Sequence, residues 1–450
     1  MDRLKARVLV ADRRQIEWRP VDLEGLLPAD HRARVVWAFV EKLDLKPLYA
    51  EIKSVEGGPG RPGIDPPILM ALWLYATLEG VGSARALARL CEEHDAYRWL
   101  RGGVGVNYHA LADFRVEKVE FLDRVLTQSV ASMMASGAVS LERVSQDGVK
   151  VRAGAGAPSF RRRPTLRRCL AEAEEQVRRL RDELEDDPGA TSRRQQAARE
   201  RAARERTERV QQALAELDQI ESRDRKAAKQ PASNPPAGPS ESGGSAQGPS
   251  QGGEPDEKRA RRASTTDPEA RVMKGADGGF RPCFNVQFST DMPSQIIVGV
   301  ETCNSGNDFR QLAAMQDQLL RRYARAPKEA VVDGGFVVRD DIDKLAAQGT
   351  QVYAPVQQRK NSKRDPYEPL PTDSTAVAEW RVRMGTAPAK AISKQRGAFA
   401  EWVNAQARNR GLRQFVVRGL RKVKAVALWH ALANNLLTSV RRGFAPYALA

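Results

Sequence analysis

The sequence predicts an α/β core with a mixed sheet, an all-α region ahead of it, and a helical hairpin inserted after its first strand. Three observations carry that expectation. Downstream of residue 263, short apolar runs of strand length alternate with longer amphipathic stretches of helix length. One more strand-like run, Val144-Ser145-Gln146, stands alone far upstream, directly before Asp147-Gly148. Between the two lie a heptad seam and a stretch of Pro, Gly, Ser and Gln, so the sheet reads as one sheet interrupted by an insertion.

The 450 residues are enough for two or three domains with cores of their own. Lys and Arg number 73 against 57 Asp and Glu, a formal net charge of +16, which makes a polyanion the expected partner and nucleic acid the first choice. These basic residues are scattered along the chain and not gathered on one amphipathic helix, which disfavours a membrane surface. The longest apolar run, Ile68 to Ala76, falls well short of the roughly 20 residues a bilayer requires. Met1-Asp2-Arg3-Leu4-Lys5 leads into charged sequence with no secretory apolar region. Cys91, Cys169, Cys283 and Cys303 are widely separated, and with four histidines in all a zinc site is not expected. The expected setting is reduced and cytoplasmic, nucleoid-associated when the chain is on DNA.

Residues 1–140 read as helical. His31 to Leu45 carries Val35, Val36, Phe39 and Val40, and Gly57 to Gly63 is a loop by its turn chemistry. Pro66-Pro67 opens a helix apolar almost all round, Ile68 to Leu78, which therefore belongs in a core. Gly80 stops it and Ser83 can cap the next helix. Arg85, Arg89, Arg98, Arg101 and Arg115, set between apolar positions, suit either a helix-turn-helix-like DNA-binding bundle or a basic-surfaced structural domain.

Residues 141–159 supply the first part of the core. Over 160–229, Leu166, Leu170, Ala173, Val177, Leu180 and Leu184 alternate four and three apart. Asp186-Asp187-Pro188-Gly189 breaks that run, and Ala203, Val210, Leu214 and Leu217 mark a second helix. The pair reads as an antiparallel coiled hairpin whose outer face is either solvated or open to a partner. Residues 230–262 read as a linker too poor in apolar groups to order itself. Residues 263–450 complete the core: strands over Phe284–Ser289, Gln295–Glu301, Ala330–Phe336 and Val352–Val356, then helices over 309–323, 340–347, 395–408 and 418–440.

Asp147 and Asp333 are each placed at a strand end, and Asp333 is followed by two glycines that allow close approach. Glu401, Asn404 and Arg408 form a polar stripe on one helix face. Two or three carboxylates with phosphate oxygens are enough to hold magnesium, and a metal pair can clamp an in-line displacement at phosphorus without His or Cys. In a chain with 57 acidic residues, spacing alone does not select these three. Asp267 and Asp308 either support such a site or cap turns, and His109 reads as a packed helical histidine.

These residues also carry a resemblance. Asp147-Gly148-Val149-Lys150-Val151-Arg152-Ala153 resembles the first acidic motif of bacterial insertion-sequence transposases of the DDE type. Ser264 to Lys274, Phe284-Asn285-Val286-Gln287 and Asn304 to Asp308 are similar to further signatures of that family, and Asp333-Gly334-Gly335-Phe336 to its second acidic motif. Arg396, Glu401 and Arg408, with Asn409 to Arg413 and Arg418-Gly419-Leu420, resemble the third. The region through Asn107-Tyr108-His109 and Phe114-Arg115 resembles the helical domain of one branch. The chain departs at Val149, where members often have Thr, and near Ser393, where they have an aromatic residue. The resemblance implies a ribonuclease-H-like core with Asp147, Asp333 and Glu401 as catalytic residues and ligands of Mg2+, or of Mn2+. It also implies Lys150, Arg152, Arg396, Arg408 and Arg115 on DNA, terminal inverted repeats and target duplex as partners, and a homodimer on paired ends. The implied activity is DNA cleavage and strand transfer. The alternatives are a host nuclease or resolvase on the same core, and a decayed copy acting as a DNA-binding regulator.

Overall fold

The computed structural model describes residues 22–54, 62–186, 193–229, 260–275, 277–358 and 364–444. Most of the expected linker (230–259), the glycine-rich loop over 57–61 and the first 21 residues lie outside them.

The N-terminal region is helical: α1 (Arg32–Val40), α2 (Lys46–Tyr49), α3 (Pro66–Leu78), α4 (Ala84–Glu93), α5 (Asp95–Arg101), α6 (Tyr108–Glu117) and α7 (Val119–Ala135). A helix with apolar residues on every side must be covered on every side, and α3 is buried at Pro66 and from Ile68 to Leu78. Its Trp73 indole donates to the Leu111 carbonyl at 2.8 Å, satisfying the one polar atom of that side chain. Ser83 and Asn107 cap α4 and α6 by accepting the amides of Ala86 and Ala110.

The sheet is mixed. Its strands are β1 (Arg143–Arg152), β4 (Arg271–Lys274), β5 (Phe280–Asp291), β6 (Ile297–Cys303), β7 (Glu329–Val331) and β8 (Gln351–Tyr353), in the order β4-β5-β1-β7-β8 with β6 also on β5. Strand β5 runs antiparallel to β1, β4 and β6, while β1, β7 and β8 are parallel. The parallel half needs helical crossovers, supplied by α10 (Gln311–Tyr323) before β7 and α11 (Arg339–Ala347) before β8.

Two short strands, β2 (Phe160–Arg161) and β3 (Ala263–Ser264), pair antiparallel and bring the chain back beside the point where it left. Beyond them stand α8 (Arg163–Asp186) and α9 (Arg193–Lys229). They are antiparallel: Arg163 bonds Asp218 and Glu221 at 2.6 and 2.9 Å, and Arg206 bonds Gln176 at 3.2 Å. Leu166, Ala213, Leu217 and Ala263 form a small core at the base of this hairpin, apart from the main one. The hairpin expected between the first two long strands is therefore present.

Three details differ from expectation. Strand β1 runs on through Arg152, so Asp147 sits in mid-strand and not at its end. Strand β7 stops at Val331, and Gly334–Phe336 forms a single 3-10 turn where a strand was expected. The stretch read as a polar connection holds α12 (Thr375–Gly385) and the first turns of α13 (Ala387–Asn409). Val377, Trp380 and Met384 are the buried residues that anchor α12, too sparse a signal at helical spacing to stand out.

The last helix, α14 (Leu420–Arg441), is buried along most of its length and packs on β6 as well as on α3, α6 and α7. The N-terminal helices and the sheet consequently share one continuous hydrophobic core. No helix among the described residues is long and apolar enough to cross a membrane.

Candidate active site

Register brings the two aspartates together. On the parallel pair, Ser145 of β1 lies opposite Val331 of β7, the last residue of that strand. Two residues further along each chain are Asp147 and Asp333, so both emerge where β7 ends and β1 loses its neighbour. Asp333 turns back to accept the Gly335 amide at 2.7 Å, and Gln357 donates to the Gly334 carbonyl at 2.7 Å, fixing the Asp-Gly-Gly turn.

Helix α13 covers this edge. Asn404 donates from Nδ2 to Asp147 Oδ2 at 2.8 Å, and Arg396 Nη1 lies 3.9 Å from Asp147 Oδ1. Ser145, Asp147, Thr290, Phe399, Val403 and Asn404 line a cavity of about 10 Å³ there, of the order of one water. Within this cluster Ser145 Oγ and Asn404 Oδ1 are buried and have no hydrogen-bond partner.

On the opposite face of β1, Gly148 lets Asp308 approach. A Cβ at that position would overlap Asp308 Oδ1 and Gln287 Nε2 and would meet Asn285 Oδ1 at 2.8 Å. Asp308 Oδ1 accepts from Asn285 Nδ2 at 2.8 Å and from Gln287 Nε2 at 2.5 Å, and Gln146 Nε2 donates to Gln287 Oε1 at 3.0 Å. Burial pushes the Asp147 carboxyl up to about 6; Arg396 opposes that shift, and the negative charges of Asp333 and Asp308 add to it.

Glu401 lies one helical turn before Asn404 but is exposed. Among the described residues no group of three His, Cys, Asp or Glu side chains is placed to hold a metal ion. The structure thus joins Asp147 and Asp333, adds Asp308 from across the sheet, and leaves Glu401 on the neighbouring face of α13.

The basic residues divide. Lys150, Arg152 and Arg408 are exposed, with Lys150 Nζ donating to the Lys274 carbonyl at 2.9 Å. Arg396 is half-buried beside Asp147. Arg115, expected on DNA, is buried instead: its guanidinium stacks 4.7 Å from the Trp73 ring centroid and donates to the Gly82 carbonyl. Arg85, Arg89, Arg98 and Arg101 also find partners within the chain. Arg101 bonds both oxygens of Glu92 at 2.8 Å, Arg98 bonds Asp95 at 3.0 Å, Arg89 lies 3.5 Å from Glu93 and Arg85 lies over Tyr108.

Asp267 does not reach the acidic pair. It accepts the Gly419 amide at 3.2 Å, and Glu269 accepts the Leu420 amide at 2.9 Å, so both serve the N-terminus of α14. Sequence reasoning gave Asn404 only a place on a stripe with Glu401 and Arg408. The further signal was the pair of apolar neighbours, Phe399 and Val403, which turn that part of the helix inward.

Residues 21–117 match the family described as Transposase domain (DUF772). No curated protein and no solved structure matches the chain. The matched segment runs through α1 to α6, the helices that share their core with α14 and the sheet. The helical region ahead of β1 is therefore similar to a transposase domain, a likeness that supports an insertion-sequence transposase.

Proposed function

We propose that the chain is a DDE-type transposase that binds the ends of its element, cleaves DNA there and joins the freed 3′-hydroxyls to target DNA. The observation that supports this reading best is the convergence of Asp147 and Asp333 at the end of the parallel strand pair. A sheet passing from three antiparallel strands to two parallel ones, with helices over the exit of the acidic strands, supports a ribonuclease-H-like core.

The residues at this site suit a divalent cation. Ser145 Oγ and Asn404 Oδ1 are orphaned beside Asp147, and its carboxyl is raised by burial and by like charge, both of which a bound cation would relieve. Asp147 and Asp333 would hold Mg2+ or Mn2+, and Glu401, exposed on the neighbouring face of α13, is the third ligand only by the resemblance. When bound, the ion would supply Lewis-acid charge at a phosphoryl oxygen and favour deprotonation of the attacking hydroxyl. Asn404 fixes one oxygen of Asp147 and leaves the other to face Arg396. The Asp333 turn, held by Gly335 and Gln357, keeps the second carboxylate on the same edge. Arg396, Arg408, Lys150 and Arg152 would meet DNA phosphate.

The test uses the full chain, duplexes carrying the element end, and Mg2+. Wild type is expected to nick or cut at the end and to join it to a second duplex, whereas Asp147→Asn and Asp333→Asn bind the duplex but do neither. Cleavage without joining would favour a nuclease or resolvase, and undiminished cleavage by Asp147→Asn would overturn the assignment.

A further inference from the structure

A second cavity, of about 30 Å³, lies where the N-terminal helices meet the end of the chain. Its wall combines the α3–α4 turn (Gly80 to Gly82), Arg115 of α6, the turn after α13 at Arg410 to Leu412, and His430 of α14. It reaches the surface between the exposed Gly80, Gly411 and Val416. Gly411 has φ +88°, and a Cβ there would meet the Gly80 carbonyl at 3.0 Å, so these two turns approach as closely as backbone allows.

The charged side chains that line this cavity are of one sign. Arg115 makes no ion pair among the described residues; its contacts are the Trp73 face and the Gly82 carbonyl, and its Nε is buried with no partner. Among the described residues the Arg410 side chain bonds only neutral amides, Asn434 Oδ1 at 3.2 Å and Gln406 Oε1 at 3.3 Å. The groups that act on Arg410 electrostatically are two more cations, Arg32 and Arg441. Arg32 is paired with Glu79 at 3.8 Å, and Arg441 donates to Gln295. His430 is buried, its Nδ1 has no partner, and the charges beside it are Arg115 and Arg410. Burial holds both guanidiniums down at about 10 and His430 at about 3, with no carboxylate opposing the effect. Removing a charge from water without a counter-ion is unfavourable, and stacking on one indole offsets only part of that.

We infer that this cavity is an oxyanion site, built for a phosphate group, with Arg115, Arg410 and His430 as its donors. A space of about 30 Å³ takes roughly two oxygen-sized bodies. Two phosphate oxygens therefore enter while the rest of the group stays at the mouth. That suits a phosphodiester as well as free phosphate. The site is independent of the acidic pair and does not rest on the transposition reading.

The experiment titrates the full chain with inorganic phosphate against chloride at constant ionic strength, reading thermal midpoint and calorimetric heat. Wild type shows a saturable rise in midpoint. Arg410→Gln weakens phosphate binding by at least about tenfold, the loss of one charge-assisted contact, and a control on the helical hairpin, Arg178→Gln, does not. His430→Gln, confirmed folded by circular dichroism, is a second variant expected to weaken it. An element-end duplex then separates the two sources. Competition by phosphate, with a salt slope about one unit shallower in Arg410→Gln, identifies a backbone phosphate as occupant. Unchanged duplex affinity identifies free phosphate. The absence of a saturable phosphate effect in wild type, or an equal effect in Arg410→Gln, overturns the site.

Discussion

Asp147 is costly to keep ionised where it sits, and that cost can be measured. With its side chain 23% exposed and two aspartates near it, the carboxyl titrates at about 6 in the folded chain against an ordinary 3.8. The folded state therefore holds this proton more tightly than the unfolded state does. The group's contribution to stability is fully present below pH 3.8 and is lost as pH rises through about 6. Asp147→Asn, which cannot ionise, should match wild type in urea melts near pH 4. At pH 8 it should be more stable by on the order of 2 kcal/mol, one pKa unit being worth about 1.4. An equal difference at both pH values would show that burial and like charge do not set this carboxyl. The variant that gains stability is the one expected to lose cleavage, as a site that holds like charges together requires.

At the scale of single elements, α14 shows how far sequence could be read. Its apolar face, with Leu428, Leu432 and Leu436, was legible because helical spacing repeats over a long stretch. What starts it was not legible, because Gly419 offers no capping side chain and the caps come from about 150 residues upstream, Asp267 and Glu269. Those two could be seen only as acids near a turn. Replacing Glu269 with Ala should cost about 1 kcal/mol, the usual worth of a lost helix N-terminal acceptor. In hydrogen exchange the first turn of α14 should open while its C-terminal half stays protected; unchanged protection there would remove Glu269 from that role. The acidic strands follow the same logic. Val144 to Gln146 was legible as β structure, but an aspartate followed by glycine reads as a stop. The continuation through Val149 and Val151 is held by pairing with β5, a contact made across more than a hundred residues. Glu401 shows the reverse: its helix and its stripe were legible, yet which face turned inward depended on how α13 packs against β1, and that face carries Asn404.

For the molecule as a whole, the expectation of a separate helical domain over residues 1–140 meets a physical difficulty. Helices α3, α6 and α7 turn apolar surface toward α14, which sits between them and β6. Trp429 is fully buried in that seam, its indole donating to the Arg115 carbonyl at 3.1 Å and its ring lying 6.3 Å from Phe114. Residues 22–140 expressed alone would expose the surface that α14 covers, and an apolar face of that length left in water opposes a fixed fold. The isolated piece should therefore melt without a cooperative transition and bind a hydrophobic dye. A peptide spanning residues 419–444 added in trans should restore part of the transition. A sharp melt of residues 22–140 by themselves would mean that the N-terminal helical region is a closed folding unit and that α14 merely leans on it. The structure favours the other outcome: the chain's last helix completes the core of its first domain, so that domain and the acidic sheet should unfold together.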